Sequence, residues 1–222
     1  MKRELRYGII GAGSMGREHI ENIKVMGGAV VTALSDPHVP SQEAALAMAP
    51  GAKVFSDHRA LLDSGLVDAV VIATPNDTHA AVLKDALATD LAVFVEKPLA
   101  TTVEDLKSIL SWDEKRSAMT WMGLEYRFMP PVAEAIARAQ EGDAGKIHQV
   151  SIREHREPFY PKVDNWNRFA DRTGGTLVEK CCHYFNLMDI VIGEQPIRVF
   201  ASGGQSVNHL DEKYDGKQAN ML

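Results

Sequence analysis

Gly11-Ala12-Gly13-Ser14-Met15-Gly16 and Asp36 are the first residues of the chain whose types and spacing suit a chemical task. In such a pattern the first glycine permits a tight turn and the second lets the backbone approach a pyrophosphate. The third allows a helix to pack closely on a strand. A helix that opens at this turn offers unpaired N–H groups and its positive dipole end to phosphate. Asp36 stands twenty residues after Gly16. A carboxylate there accepts hydrogen bonds from the ribose hydroxyls of NAD and repels the extra phosphate of NADP. The bare glycine pattern is common by chance; an apolar run before it and a helical pattern after it give it weight. Gly11, Gly13, Ser14, Met15, Gly16 and Asp36 are therefore assigned to a dinucleotide, NAD in preference to NADP.

Two further positions suit proton transfer: Lys97 in Glu96-Lys97-Pro98, and His183 in Glu179-Lys180-Cys181-Cys182-His183. An ammonium beside a hydroxyl or carbonyl polarises it, and an imidazole exchanges protons near neutral pH. Spacing of four puts Glu179 and His183 on one face of an unbroken helix, with Asn186 roughly continuing it. Lys180 then points about 100° away. The Lys97-Pro98 bond can take either isomer. Cys181-Cys182-His183 lacks the spacing of a zinc site, so no metal is expected and the cysteines read as small apolar groups.

Alternating patterns supply the elements that must position these groups. Apolar runs at 5–10, 30–35, 53–55, 68–74, 91–96 and 119–122 read as strands, and 15–27, 41–49, 77–88 and 103–115 as helices. Val70-Val71-Ile72 and Val93-Phe94-Val95 are continuously apolar, as parallel strands covered on both faces are. The expected architecture is α/β: a doubly wound parallel Rossmann sheet over residues 1–124. From residue 125 the pattern changes. Helices are predicted at 130–139, ended by Gly142, and at 176–192, stopped by Gly193; strands are predicted at 146–156 and 197–201. A long aperiodic stretch at 157–175 reads as a functional loop. Arg153, His155, Arg156, Asn165, Trp166 and Arg168 in and beside it are candidates to face a substrate.

The composition is that of a globular protein: 222 residues, 45% hydrophobic, 24% charged, net charge −6. An acidic balance without a basic patch argues against nucleic acid. No stretch approaches the roughly 20 apolar residues of a membrane span, and the start is unlike a secretory signal, so a cytoplasmic setting is expected.

The glycine fingerprint, Ala73-Thr74-Pro75-Asn76-Asp77-Thr78-His79, Glu96-Lys97-Pro98, and Thr173-Gly174-Gly175 leading to Glu179 and His183 resemble the Gfo/Idh/MocA oxidoreductases. That family takes its name from glucose–fructose oxidoreductase, inositol dehydrogenase and their relatives. The resemblance implies a catalytic set of Lys97, His183 and Glu179, the last standing where the family usually has Asp. It implies that Thr74, Pro75, Asn76, His79, Glu96 and Lys97 line the cofactor, and that Arg127 stands near the active site; Trp166, by residue type, and Lys180, as a rival to Glu179 on the helix, are the other substrate-facing candidates. The implied reaction passes a hydride between the nicotinamide and a sugar, cyclitol or related polyol. A redox glycosidase using NAD and a catalytically incomplete nucleotide-binding module are the alternatives. The implied second domain, residues 125–222, is an α+β unit for substrate binding and oligomerisation, with an open, mostly antiparallel sheet that is incomplete here. C-terminal truncation is therefore expected, with an exposed apolar face covered by a partner subunit in a homo-oligomer.

Overall fold

The computed structural model describes residues 3–155 and 157–221; Arg156 lies outside them. The chain divides into two compact units. One holds the residues up to Gly123 together with Lys162–Trp166, and the other holds Leu124–Pro161 and Asn167–Leu222.

The first unit runs β1 (Leu5–Ile10), α1 (Ser14–Met26), β2 (Ala29–Ser35), α2 (Val39–Met48), β3 (Lys53–Phe55), α3 (His58–Leu62), β4 (Ala69–Ile72), α4 (His79–Ala86), β5 (Ala92–Glu96), α5 (Val103–Asp113) and β6 (Thr120–Gly123). Among the described residues its strands form one parallel sheet in the order β3-β2-β1-β4-β5-β6. This doubly wound order reverses direction between β1 and β4, and ligands of such sheets bind outside the carboxyl ends of the strands there. The sheet is covered on both faces. Ile10, Val70, Ile72, Val93 and Val95 pack with Leu83 and Ile109, while Ile9, Leu34 and Val71 pack with Ile20 and Ile23. That two-sided burial is why β4 and β5 read as unbroken apolar runs.

Local signals set the helix starts. Thr102 Oγ1 accepts from the Asp105 N–H at 3.1 Å, and Glu104 and Asp105 favour the positive end of α5. Asp57 caps α3 in the same way, a five-residue helix too short to show periodicity. The first turn of α1 has no acidic residue, so its own sequence leaves the dipole uncompensated.

In the second unit α6 (Pro130–Glu141) begins with proline and stops at Gly142, whose φ is 88°. Then follow a stretch of turns at Val163–Arg168, interrupted by left-handed residues at Asp164 and Asn165, and the short helices α7 (Ala170–Thr173) and α8 (Thr176–Glu179). After them come α9 (Cys182–Ile192) and a hairpin of β7 (Lys213–Tyr214) and β8 (Lys217–Gln218). Three expectations fail here. The helix predicted over 176–192 is broken: the Cys181 N–H reaches back five residues to the Thr176 carbonyl, a π-type widening that ends α8. Glu179 and His183 thus share no continuous helical face. The described residues of the strands predicted at 146–156 and 197–201 form no ladder. Alternating apolar residues make a strand only where a neighbour accepts the backbone hydrogen bonds. The antiparallel pair that does form, Lys213 with Gln218 and Tyr214 with Lys217, lies where no element is predicted. Asp215 and Gly216, with φ of 51° and 79°, make its turn. Among the described residues no helix is long and apolar enough to cross a membrane.

Candidate functional site

The glycine turn sits at the carboxyl end of β1. Gly11 has φ +93°, and a Cβ there would stand 2.6 Å from the Ala73 carbonyl; one on Gly16 would stand 1.9 Å from the Gly11 oxygen. Both positions exclude any side chain. Nothing lies within 4 Å of where a Gly13 Cβ would be, so the backbone is open to a ligand at that point. At the end of β2, Asp36 Oδ2 accepts from the Ala12 N–H at 2.7 Å and Oδ1 from the His38 N–H at 2.8 Å. Each oxygen keeps a second lone pair for a hydroxyl donor. An open turn, an uncompensated helix start and an oriented carboxylate fit a dinucleotide.

The next strand ends carry the other expected cofactor residues. Thr74 and Pro75 follow β4, and a 3-10 turn at Asn76–Thr78 leads into α4, with Asn76 buried. His79 is fully buried, with Nδ1 2.7 Å from the Pro98 carbonyl and Nε2 3.0 Å from that of Thr74. It braces the β4 and β5 loops against each other. After β5, Glu96 is held by His19 Nε2 at 2.7 Å and by the Lys97 N–H at 3.2 Å. Burial alone would raise the Glu96 carboxyl, but the His19 hydrogen bond and charge, with Lys97, hold it below the usual carboxylate range. Lys97 is half-buried, and the Lys97-Pro98 bond is cis. His19 carries no motif signal; only the fold brings α1 beside β5.

In the second unit His183 is 1% exposed and stacks on Tyr126, the ring centroids 4.1 Å apart and nearly parallel. The carboxylate beside it is Glu125, whose Oε1 is 3.6 Å from Nε2. Lys180, 7% exposed, donates to the Tyr126 hydroxyl, lies over that ring and is 3.4 Å from Glu154 Oε1. Tyr184 donates to the other Glu154 oxygen. Burial and the Glu154 carboxylate push the Tyr184 phenol well above its ordinary range. Burial, then the Glu154 charge, likewise raises the Cys181 thiol. Glu154, Thr176, Lys180, Cys181, Tyr184 and His209 line part of a cavity of about 280 Å³. Arg127, in the same unit, is half-buried, and its Nε makes no hydrogen bond among the described residues. Glu179 is half-buried at the end of α8. Trp166 belongs to the segment that packs with the first unit. Arg168 is buried on the chain's own groups, Glu212 and the Phe159 carbonyl, both at 2.7 Å. Glu125, Tyr126 and Glu154 escaped the sequence reading because no fixed spacing links them to α9.

Residues 5–124 match the profile of the oxidoreductase family with NAD-binding Rossmann fold, and residues 137–220 match that family's C-terminal alpha/beta domain. The chain is 30% identical to an inositol 2-dehydrogenase of Rhizobium meliloti over 89% of its own length and 58% of the relative's. A second relative, an uncharacterized oxidoreductase of Bacillus subtilis, is 26% identical and matched over 60% of its length. The chain thus spans about three-fifths of these curated relatives. Among solved structures, a myo-inositol dehydrogenase of Lactobacillus casei in complex with NAD(H) and myo-inositol superposes with a TM-score of 0.60 at 34% identity. That match covers 63% of this chain and 42% of the other. A probable dehydrogenase of Thermotoga maritima superposes at 0.74 with 25% identity, over 86% of this chain and 56% of the other. Fingerprint, sheet order and both profiles agree: the chain belongs to the Gfo/Idh/MocA oxidoreductase family.

Proposed function

We propose that this chain carries out NAD-dependent oxidation or reduction at a CH–OH group of a sugar, cyclitol or related polyol. The observation that carries this reading is the alignment of the glycine turn, Asp36, Thr74–His79 and Glu96-Lys97-Pro98 along the carboxyl ends of adjacent parallel strands. A relative that acts on inositol, and a solved neighbour whose ligands are NAD(H) and myo-inositol, support the cyclitol or sugar class. The bound nicotinamide supplies the hydride acceptor or donor. Gly11, Gly13, Ser14, Met15 and Gly16 hold the phosphates, Asp36 the ribose, and Thr74, Pro75, Asn76 and Glu96 line the cofactor, with His79 bracing them.

Lys97 Nζ polarises the reacting hydroxyl, and His183 takes its proton. Stacking on Tyr126 fixes the imidazole plane, and Glu125 stabilises the charged ring once the proton has moved. Glu179 orients this pair through the α8–α9 turn. Arg127, Lys180 and Trp166 bind substrate hydroxyls or stack on the ring, and Glu154, Lys180 and His209 put hydrogen-bonding groups among the largely apolar walls of the 280 Å³ cavity. The protein assembles as a homo-oligomer through its second unit.

Lys97→Met and His183→Ala are each expected to lower turnover at least ~10²-fold on whichever polyol the wild type oxidises, with NAD affinity retained in His183→Ala. Absorbance of NADH across a polyol panel, beside direct titration of NAD, reads both. Near-normal rates in both variants would sink the assignment.

A further inference from the structure

Resting on the dinucleotide reading of the glycine turn, we propose that Lys162 is a phosphate clamp: its ammonium pairs with the pyrophosphate of a dinucleotide seated at Gly11–Gly16. Lys162 Nζ donates to Ser14 Oγ at 2.6 Å, across 148 residues of sequence. Ser14 is the first residue of α1, and Lys162–Trp166 packs with the first unit.

The loop that carries this lysine is bonded within itself. Its neck is closed by Asn167 Nδ2 on the Tyr160 carbonyl at 2.8 Å and by Arg168 on the Phe159 carbonyl at 2.7 Å. Its tip is a turn in which the Asn165 N–H bonds the Lys162 carbonyl at 2.9 Å. Asp164 and Asn165 occupy the left-handed region, with φ of 53° and 51°. Asp and Asn tolerate that conformation best among non-glycine residues, and even they pay something for it.

Electrostatics gives the arrangement its meaning. The start of α1 is the positive end of a helix dipole, without an acidic residue in its first turn. Asp36 takes the Ala12 N–H of the turn, and Lys162 brings its positive charge to the Ser14 side of the helix start. A pyrophosphate seated there is attracted by both the ammonium and the dipole end. Gly13 leaves the adjacent space open. A pyrophosphate there accepts charge-assisted hydrogen bonds from Lys162 Nζ alongside those from the Ser14 hydroxyl and the turn's backbone N–H groups.

Calorimetric titration of the full chain with NAD, ADP and adenosine tests this, using wild type, Lys162→Gln and Lys162→Arg. Lys162→Gln is expected to weaken NAD and ADP about tenfold, leave adenosine unchanged and flatten the salt dependence of NAD binding. Lys162→Arg, which keeps the charge, should recover most of the affinity. Wild-type affinity for NAD and ADP in Lys162→Gln overturns the clamp, as does an equal loss on adenosine, which marks a scaffold defect. A wild type that binds none of the three probes overturns the dinucleotide reading itself, and the clamp with it.

Discussion

Asp36 shows how a single carboxylate can be fixed by backbone and still keep lone pairs for the ribose proposed above. Its two oxygens take the Ala12 and His38 N–H groups, which fixes the carboxylate at the mouth of the turn. Asp36→Asn keeps one acceptor oxygen and removes the repulsion toward a 2′-phosphate. The ratio of NADP to NAD affinity should then rise about tenfold, read by fluorescence titration with each nucleotide. An unchanged ratio would place the selectivity elsewhere. At the same scale, residue type and the Gly174-Gly175 motif before it single out His183 in the sequence as the proposed base, whereas its spatial neighbours carry no such signal. Glu125 and Tyr126 lie more than fifty residues earlier in the chain and meet it only through folding.

Elements of the second unit depend on a few charged anchors as much as on apolar packing. Glu212 accepts from His209 Nδ1 at 2.7 Å, the Tyr214 hydroxyl at 2.8 Å and Arg168 Nε at 2.7 Å, tying the β7–β8 hairpin to the loop that carries Lys162. The His209 hydrogen bond, then those of Tyr214 and Arg168, outweigh desolvation and hold the Glu212 carboxyl down at about 2. A carboxyl lowered on folding contributes stability that is complete above its ordinary pKa of about 4.5 and lost as the pH falls toward 2. Glu212→Gln should therefore be less stable than wild type near neutrality, with the gap closing as pH falls through that window. Melting temperatures across the range measure it, and a gap independent of pH would refute the linkage. The hairpin was legible in principle: Asp215-Gly216 is the residue pair a type I′ turn favours. Its strands are two residues each, too short to show alternation.

For the molecule as a whole, the apolar groups left outside are as informative as those within. Ile197, Val199, Phe200 and Val207 in the second unit are exposed, Ile197 completely. Apolar surface of this kind is costly in water and marks an interaction site when contiguous. Assembly through it predicts that sedimentation equilibrium finds wild type associated and Val199→Glu with Phe200→Glu monomeric. A monomeric wild type at micromolar concentration would overturn the assembly. The amino-acid sequence by itself determined the first unit. Its strands and helices alternate at short range, the apolar runs of β4 and β5 announce burial on both faces, and glycine spacing reports a turn no side chain can enter. Only tertiary structure decided the second. Residues 146–155 and 197–201 have strand-like alternation yet no ladder, because a strand exists only with a partner. The helix read as continuous through His183 widens at Cys181, next to a Lys180 whose ammonium is bound to Tyr126 and Glu154. Lys162 reaches Ser14 across most of the chain. Local patterns encode local hydrogen bonding and burial, whereas contacts between distant residues depend on packing that no short window of sequence contains.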